Sequence, residues 1–225
     1  MPATEFSERD LVDPDQLTVP ESPAHRQATE LIAVLAQHLL GPDQTVYRNM
    51  NWYPLDEGSA MAPDVMVLPA GTLPPRAKSH RQASVGGPNP SVVVEVLAEN
   101  DPYQGFRRKL QRFRQAGVVV YLVEVDEAQP RVARQAPDNI EAIDWMGRPL
   151  PELGGLMLLE DEGRLCARLP DGTTFRSNED VLALLKQRAA NAEAVAARAE
   201  AVATDAQARV AELEARLRAL GLDTA

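Results

Sequence analysis

Two carboxylates and one ammonium group stand in this chain where such groups are costly to place. Asp64 follows Pro63 at the head of the apolar run Val65-Met66-Val67-Leu68, and Glu95 lies inside Ser91-Val-Val-Val-Glu-Val-Leu97. The second run is apolar on both of its alternating faces, as in a central strand covered on each side, so a carboxylate there needs a cation or several donors. A divalent metal would satisfy both acids at once. Downstream, Tyr103, Phe106, Leu110 and Phe113 recur at helical spacing. At about 100° per residue, Lys109 falls roughly 70° from the centre of their stripe and can look back toward the strand ends. Arg108 and Arg112 fall on the outward face, suited to an extended anion such as a nucleic-acid backbone.

The residue types fit phosphodiester hydrolysis. Magnesium keeps several waters and is held by one or two carboxylates plus substrate phosphate, so two acids at adjacent strand ends suffice. The ion acidifies a water and draws charge from the scissile phosphate. Lys109 would orient the attacking water or stabilise the developing negative charge. Simpler readings stand beside this one. Asp64 after a proline is also a turn residue capping local amides, a single Glu95–Lys109 salt bridge would satisfy Glu95 without metal, and Arg107, Arg108, Arg112 and Arg114 also describe a solvated helix face.

The elements that must position these groups follow from periodicity. Leu31, Val34, Leu35, His38 and Leu39 mark a first helix that starts near Ser22-Pro23 and ends at Gly41-Pro42. Glu30 on it is a candidate third acid, although a surface role is the simpler reading. Thr45 to Tyr53 is strand-like and leads through Asp56-Glu57-Gly58-Ser59 into the Asp64 strand, which predicts a hairpin. Residues 69 to 90 hold five prolines and Gly86-Gly87, the composition of a long irregular loop. Val118 to Val125 is a second apolar strand, so strand, helix and strand imply a parallel crossover. Short strands with turns at Asp161-Glu-Gly163 and Asp171-Gly172 follow.

The order and spacing resemble the restriction-endonuclease-like superfamily, whose signature is Pro-Asp followed by an acid-x-Lys triplet on the next strand. Pro63-Asp64-Val65, Val94-Glu95-Val96-Leu97, Lys109-Leu110-x-x-Phe113-x-x-x-Gly117-Val118 and Tyr121-Leu122-Val123 are similar to one branch, the bacterial Uma-two family, over roughly residues 20 to 180. The resemblance implies an α/β fold with a mixed sheet flanked by helices. It also implies that Asp64 and Glu95 hold Mg2+ (Mn2+ as an alternative), with Lys109 in place of the triplet lysine because Leu97 occupies the triplet position. Ala98, Gly105 and Phe113 depart from the family's serine, aspartate and tyrosine, each removing a polar group from the implied site.

Composition sets outer limits. With 225 residues, 44% apolar and 25% charged, the chain can bury one core and carry an appendage. The reading is a flexible N-terminal arm over 1–20, the restriction-endonuclease-like domain over 21–176, and a C-terminal coiled-coil helix over 177–225. Cys166 is the sole cysteine, so no disulfide framework forms, and no zinc spacing relates it to His25, His38 and His80. With no signal-like start and no apolar span of membrane length, the expectation is a cytoplasmic protein without a membrane partner. A net charge of −10 opposes general nucleic-acid binding. The charge is uneven, however: Arg76 to Arg114 contains eight lysines and arginines against three acids. No Gly-rich phosphate loop or nucleophile elbow is present, which excludes support for nucleotide-binding and serine-hydrolase classes.

From Leu182 a seven-residue repeat runs unbroken to Leu220. One position reads Leu182, Ala189, Ala196, Ala203, Val210, Leu217, and its partner reads Leu185, Ala192, Ala199, Ala206, Leu213, Leu220. Ser177-Asn-Glu-Asp180 is a capping-box sequence ahead of it. Arg188 with Glu193 and Arg209 with Glu214 have the five-residue offset of a parallel pair, so a homodimer through 182–220 is expected, against the alternative of a solitary or antiparallel alanine-rich helix. Two function classes remain: a metal-dependent endonuclease acting on DNA, and a nuclease-fold dimer that binds nucleic acid or protein without turnover. Ala98, Gly105, Phe113 and the acidic total favour the second.

Overall fold

The computed structural model describes residues 22–54, 60–73, 77, 79–81, 87–97, 103–125, 130–138 and 143–219, with the side chains of 81, 103–108 and 143 outside the description. The expected arm over 1–20, the turn at 56–59, Ala98, the Arg108 side chain and Leu220 therefore lie outside the described residues.

A mixed six-stranded sheet forms the centre. Its strands are β1 (Gln44–Arg48), β3 (Val65–Pro69), β5 (Val92–Leu97), β6 (Val119–Glu124), β7 (Arg131–Gln135) and β8 (Ile143–Asp144), hydrogen-bonded in that order. Only β5 and β6 run parallel, joined by helix α2 (Tyr103–Gln115), as a strand-helix-strand crossover requires. β5 is buried up to its last residue, Glu95 included, and β6 is buried at Val120, Tyr121 and Val123, as strands of a covered sheet are. On one face Met66, Leu68, Val93 and Val120 pack with Phe113 and Leu110 of α2. Phe113 is fully buried and stacks on Trp52, with ring centroids 6.0 Å apart and planes 8° from parallel. Lys109 precedes Phe113 by one helical turn, so the anchor that seats the ring also places the lysine on the sheet side.

Helix α1 (Pro23–Leu40) contacts β1, β3 and β5, and also the second sheet. Ser22 caps it, accepting a hydrogen bond from the His25 amide at 3.1 Å, with Pro23 in the first turn. Its buried stripe is His25, Ala28, Thr29, Leu31, Ile32, Ala33, Leu35 and Ala36. The second sheet orders β12 (Thr174–Phe175), β11 (Arg164–Arg168), β10 (Leu156–Asp161) and β9 (Pro149–Leu150). Glu162 and Gly163, both with positive φ, make the tight turn between β10 and β11.

Two sequence expectations are corrected. The strand over 45–53 is divided: β1 pairs with β3 as the hairpin reading requires, but Asn49 takes φ 48 and ends it. Residues Asn51–Tyr53 form a separate β2, which pairs in parallel with β4 (Ser79–Arg81). That pairing places a strand inside the proline-rich stretch expected to be irregular.

Helix α3 (Asn178–Ala219) is continuous. Its capping box is made: Ser177 Oγ accepts from the Asp180 amide at 3.2 Å, and Asp180 Oδ2 accepts from the Ser177 amide at 3.1 Å. The chain divides into two compact units, 1–181 and 182–225. In the second, Leu182, Val195, Val202, Val210 and Leu213 are each at least half exposed. Among the described residues no helix is long and apolar enough to cross a membrane.

Candidate metal centre

Asp64 and Glu95 meet through strand register. The antiparallel ladder of β3 and β5 ends with Val65 paired to Val94, and Asp64 and Glu95 are the next residues of the two segments beyond that pair. The ladder is replaced there by a side chain: Asp64 Oδ2 accepts from the Val96 amide at 2.7 Å. The backbone carbonyl of Asp64 accepts from the Asn49 amide at 3.1 Å, so the bend that divides β1 from β2 also braces the aspartate.

Lys109 reaches both segments from α2. Its Nζ donates to Glu95 Oε2 at 2.6 Å and to the Ala62 carbonyl at 2.7 Å. The three residues that sequence alone singled out are therefore brought together. Glu95 is 3% exposed, and its second oxygen, Oε1, is buried with no hydrogen-bond partner among the described residues. Burial pushes the Glu95 carboxyl up to about 8, with Asp64 adding to the shift and Lys109 and His25 opposing it. One lysine does not offset the desolvation of this carboxylate.

His25 was not part of the expected site. Its Nε2 lies 3.3 Å from Asp64 Oδ1, and both residues are buried. The available signal was its position on the stripe shared with Ala28, Thr29, Ile32 and Ala36, but a lone histidine on an apolar face seldom marks chemistry. Glu30 does not supply a third acid at the centre. It pairs with Arg48 at 3.2 Å and accepts from Asn178 Nδ2 at 2.7 Å. Beside the centre, Glu30, Arg26, Thr29, Arg48 and Asn49 line an open cavity of about 500 Å³. Arg112 is exposed on α2, as expected. Phe113, at the position of the family's tyrosine, is given over to packing on Trp52.

Among the described residues no group of three or more histidine, cysteine, aspartate or glutamate side chains forms a metal site. The donor set is two carboxylates, which fits a hard cation that retains waters and takes the rest of its shell from phosphate. Glu95 Oε1, without a hydrogen-bond partner among the described residues, is an acceptor such a cation could use, and Asp64 Oδ2 keeps a lone pair beyond the Val96 amide it already accepts from.

Residues 13–151 match the model of the Uma2 family, described as a putative restriction endonuclease, and the chain belongs to that family. Among solved structures it is similar to a putative nuclease belonging to DUF820 from Anabaena variabilis, at 13% identity and a TM-score of 0.44, over 57% of this chain and 74% of that one. No curated protein matches.

Proposed function

We propose that this protein is a metal-dependent endonuclease that hydrolyses phosphodiester bonds of DNA, with Asp64 and Glu95 holding Mg2+ or Mn2+. The observation that carries the reading is the buried Glu95 carboxylate with one oxygen unmatched among the described residues, next to the end of the β3–β5 ladder that Asp64 also flanks. A bound divalent ion would supply Lewis acidity toward the scissile phosphate and toward an attacking water. Lys109 spends two of its three N–H groups on Glu95 and Ala62 among the described residues, and directs the third toward the incoming water or the phosphoryl oxygen. Arg108 and Arg112 on α2 contact phosphates away from the reacting atom, positioning the strand without reading its sequence. The exposed apolar side chains of α3 are covered by a second copy through 182–220, which brings two centres to one duplex.

The test is cleavage of supercoiled DNA with magnesium and with manganese, using the wild type, Asp64→Asn and Glu95→Gln. Loss of nicking in both folded variants is expected, and unchanged nicking in both would sink the proposal. Light scattering at micromolar concentration reads the dimer, and a monomer there removes that part. A second reading, a nuclease-fold dimer that binds without turnover, is favoured by the direct Lys109–Glu95 ion pair, an internal counter-ion for the acid. Under that reading neither metal shifts the thermal midpoint.

A further inference from the structure

Each Asp64 oxygen faces a nitrogen from a different element. Oδ2 faces the Val96 amide of β5 at 2.7 Å, and Oδ1 faces His25 Nε2 of α1 at 3.3 Å. A carboxylate only accepts, so a hydrogen bond across this contact needs the hydrogen on Nε2. The final torsion of an aspartate is broad and roughly two-fold, and a single donor leaves the carboxylate free to rock about it. Two donors on opposite oxygens remove that freedom. The backbone that carries the imidazole is held in the first turn of α1, where the Ser22 hydroxyl accepts from the His25 amide at 3.1 Å, and the residue is 8% exposed.

We propose that His25 is the positioning residue of the metal centre, holding the Asp64 carboxylate so that its remaining lone pairs converge with Glu95 Oε1 on one cation. The inference rests on the metal-dependent reading above and assigns His25 to the outer shell, touching the ligand and not the ion. Groups that orient a ligating side chain characteristically change metal affinity about 10- to 100-fold when removed. Such a role separates His25 from a residue that merely fills space under α1.

The experiment is calorimetric titration of the full chain with Mn2+, for the wild type and for His25→Ala, His25→Phe and His25→Gln, with the metal-free thermal midpoint measured on each. The phenylalanine variant keeps volume and loses the donor, while glutamine returns an amide donor near the position of Nε2. Affinity about 10- to 100-fold weaker in the alanine and phenylalanine variants, largely restored in the glutamine variant, is the expected result. Wild-type affinity in both donor-less variants overturns the assignment, as does affinity that simply tracks the metal-free midpoint across the three. Absence of Mn2+ binding by the wild type instead overturns the metal reading, and this inference with it.

Discussion

Glu95 and Glu152 are both largely withdrawn from water, yet they end in opposite electrostatic states. Glu152, in the single 3-10 turn before β10, has a donor at each oxygen: the Tyr121 hydroxyl on one and Arg134 Nη2 at 2.5 Å on the other. Trp145 holds both donors, edge-on to Tyr121 at 6.2 Å and 5.3 Å beneath the Arg134 guanidinium. Burial pushes the Glu152 carboxyl up, but the hydrogen bonds from Arg134 and Tyr121 together outweigh it, leaving the group below the ordinary glutamate value. At Glu95 one oxygen meets Lys109 and the other has no hydrogen-bond partner among the described residues, so burial wins. A closed network holds a fold together, whereas a buried acid with an oxygen unmatched among the described residues is the one that the metal-dependent reading above uses.

The sharpest way to break this contrast is exchange at the two acids. Glu95→Gln is expected to lower cleavage by on the order of 10²- to 10³-fold while the circular dichroism spectrum is kept. Glu152→Gln should leave Mn2+ affinity at the wild-type value. Stability responds the other way round. Glu152→Ala strands Arg134 and Tyr121, and urea denaturation should show a loss of about 2–3 kcal/mol, a figure that an unchanged unfolding midpoint would contradict.

Proton linkage separates the two acids further. Between about 4.5 and about 8 the folded protein keeps a proton on Glu95 that the unfolded chain has released. On this account metal-free stability falls as pH rises through that window, by at most about 1.4 kcal/mol per unit. Glu152 acts with the opposite sign: its contribution is present above the ordinary glutamate value and is lost as pH falls through its depressed value. Denaturant titrations at pH 6 and 8 should therefore show a decline of about 2 kcal/mol that Glu95→Gln abolishes and saturating Mn2+ reduces. A flat profile in the metal-free wild type would remove the basis of the contrast. The smallest effect concerns neither acid: Arg112→Ala should weaken DNA binding uniformly and lower the salt-dependence slope by about one, measured by fluorescence anisotropy.

The trio Asp64, Glu95 and Lys109 was legible because each member breaks a local pattern. An acid inside a strand apolar on both faces, an aspartate at a strand head and a lysine beside an aromatic helical stripe are visible without coordinates. His25 was not, since its contact with Asp64 depends on α1 packing against a sheet that begins later in the chain, and a single first-turn histidine carries no period. The division of β1 from β2 depends on the left-handed backbone of Asn49, which many asparagines never adopt. The β2–β4 pairing covers three residues a side, too short for alternation to register. Glu30 lay on the right helix, but the positions of Arg48 and Asn178, which claim it, come from tertiary packing.

Gly154 sits at φ 70, and a Cβ placed on it would lie 2.7 Å from Leu39 Cβ. The last turn of α1 is thereby clasped by the turn that joins β9 to β10 in the second sheet, while the first turn of the same helix ends on Asp64. Leu39 and His25 are separated by about 21 Å of stiff helix. The helix is consequently a rod between a hydrophobic clasp and the aspartate, and a methyl group added at Gly154 would act as a push on a lever whose far tip is the imidazole.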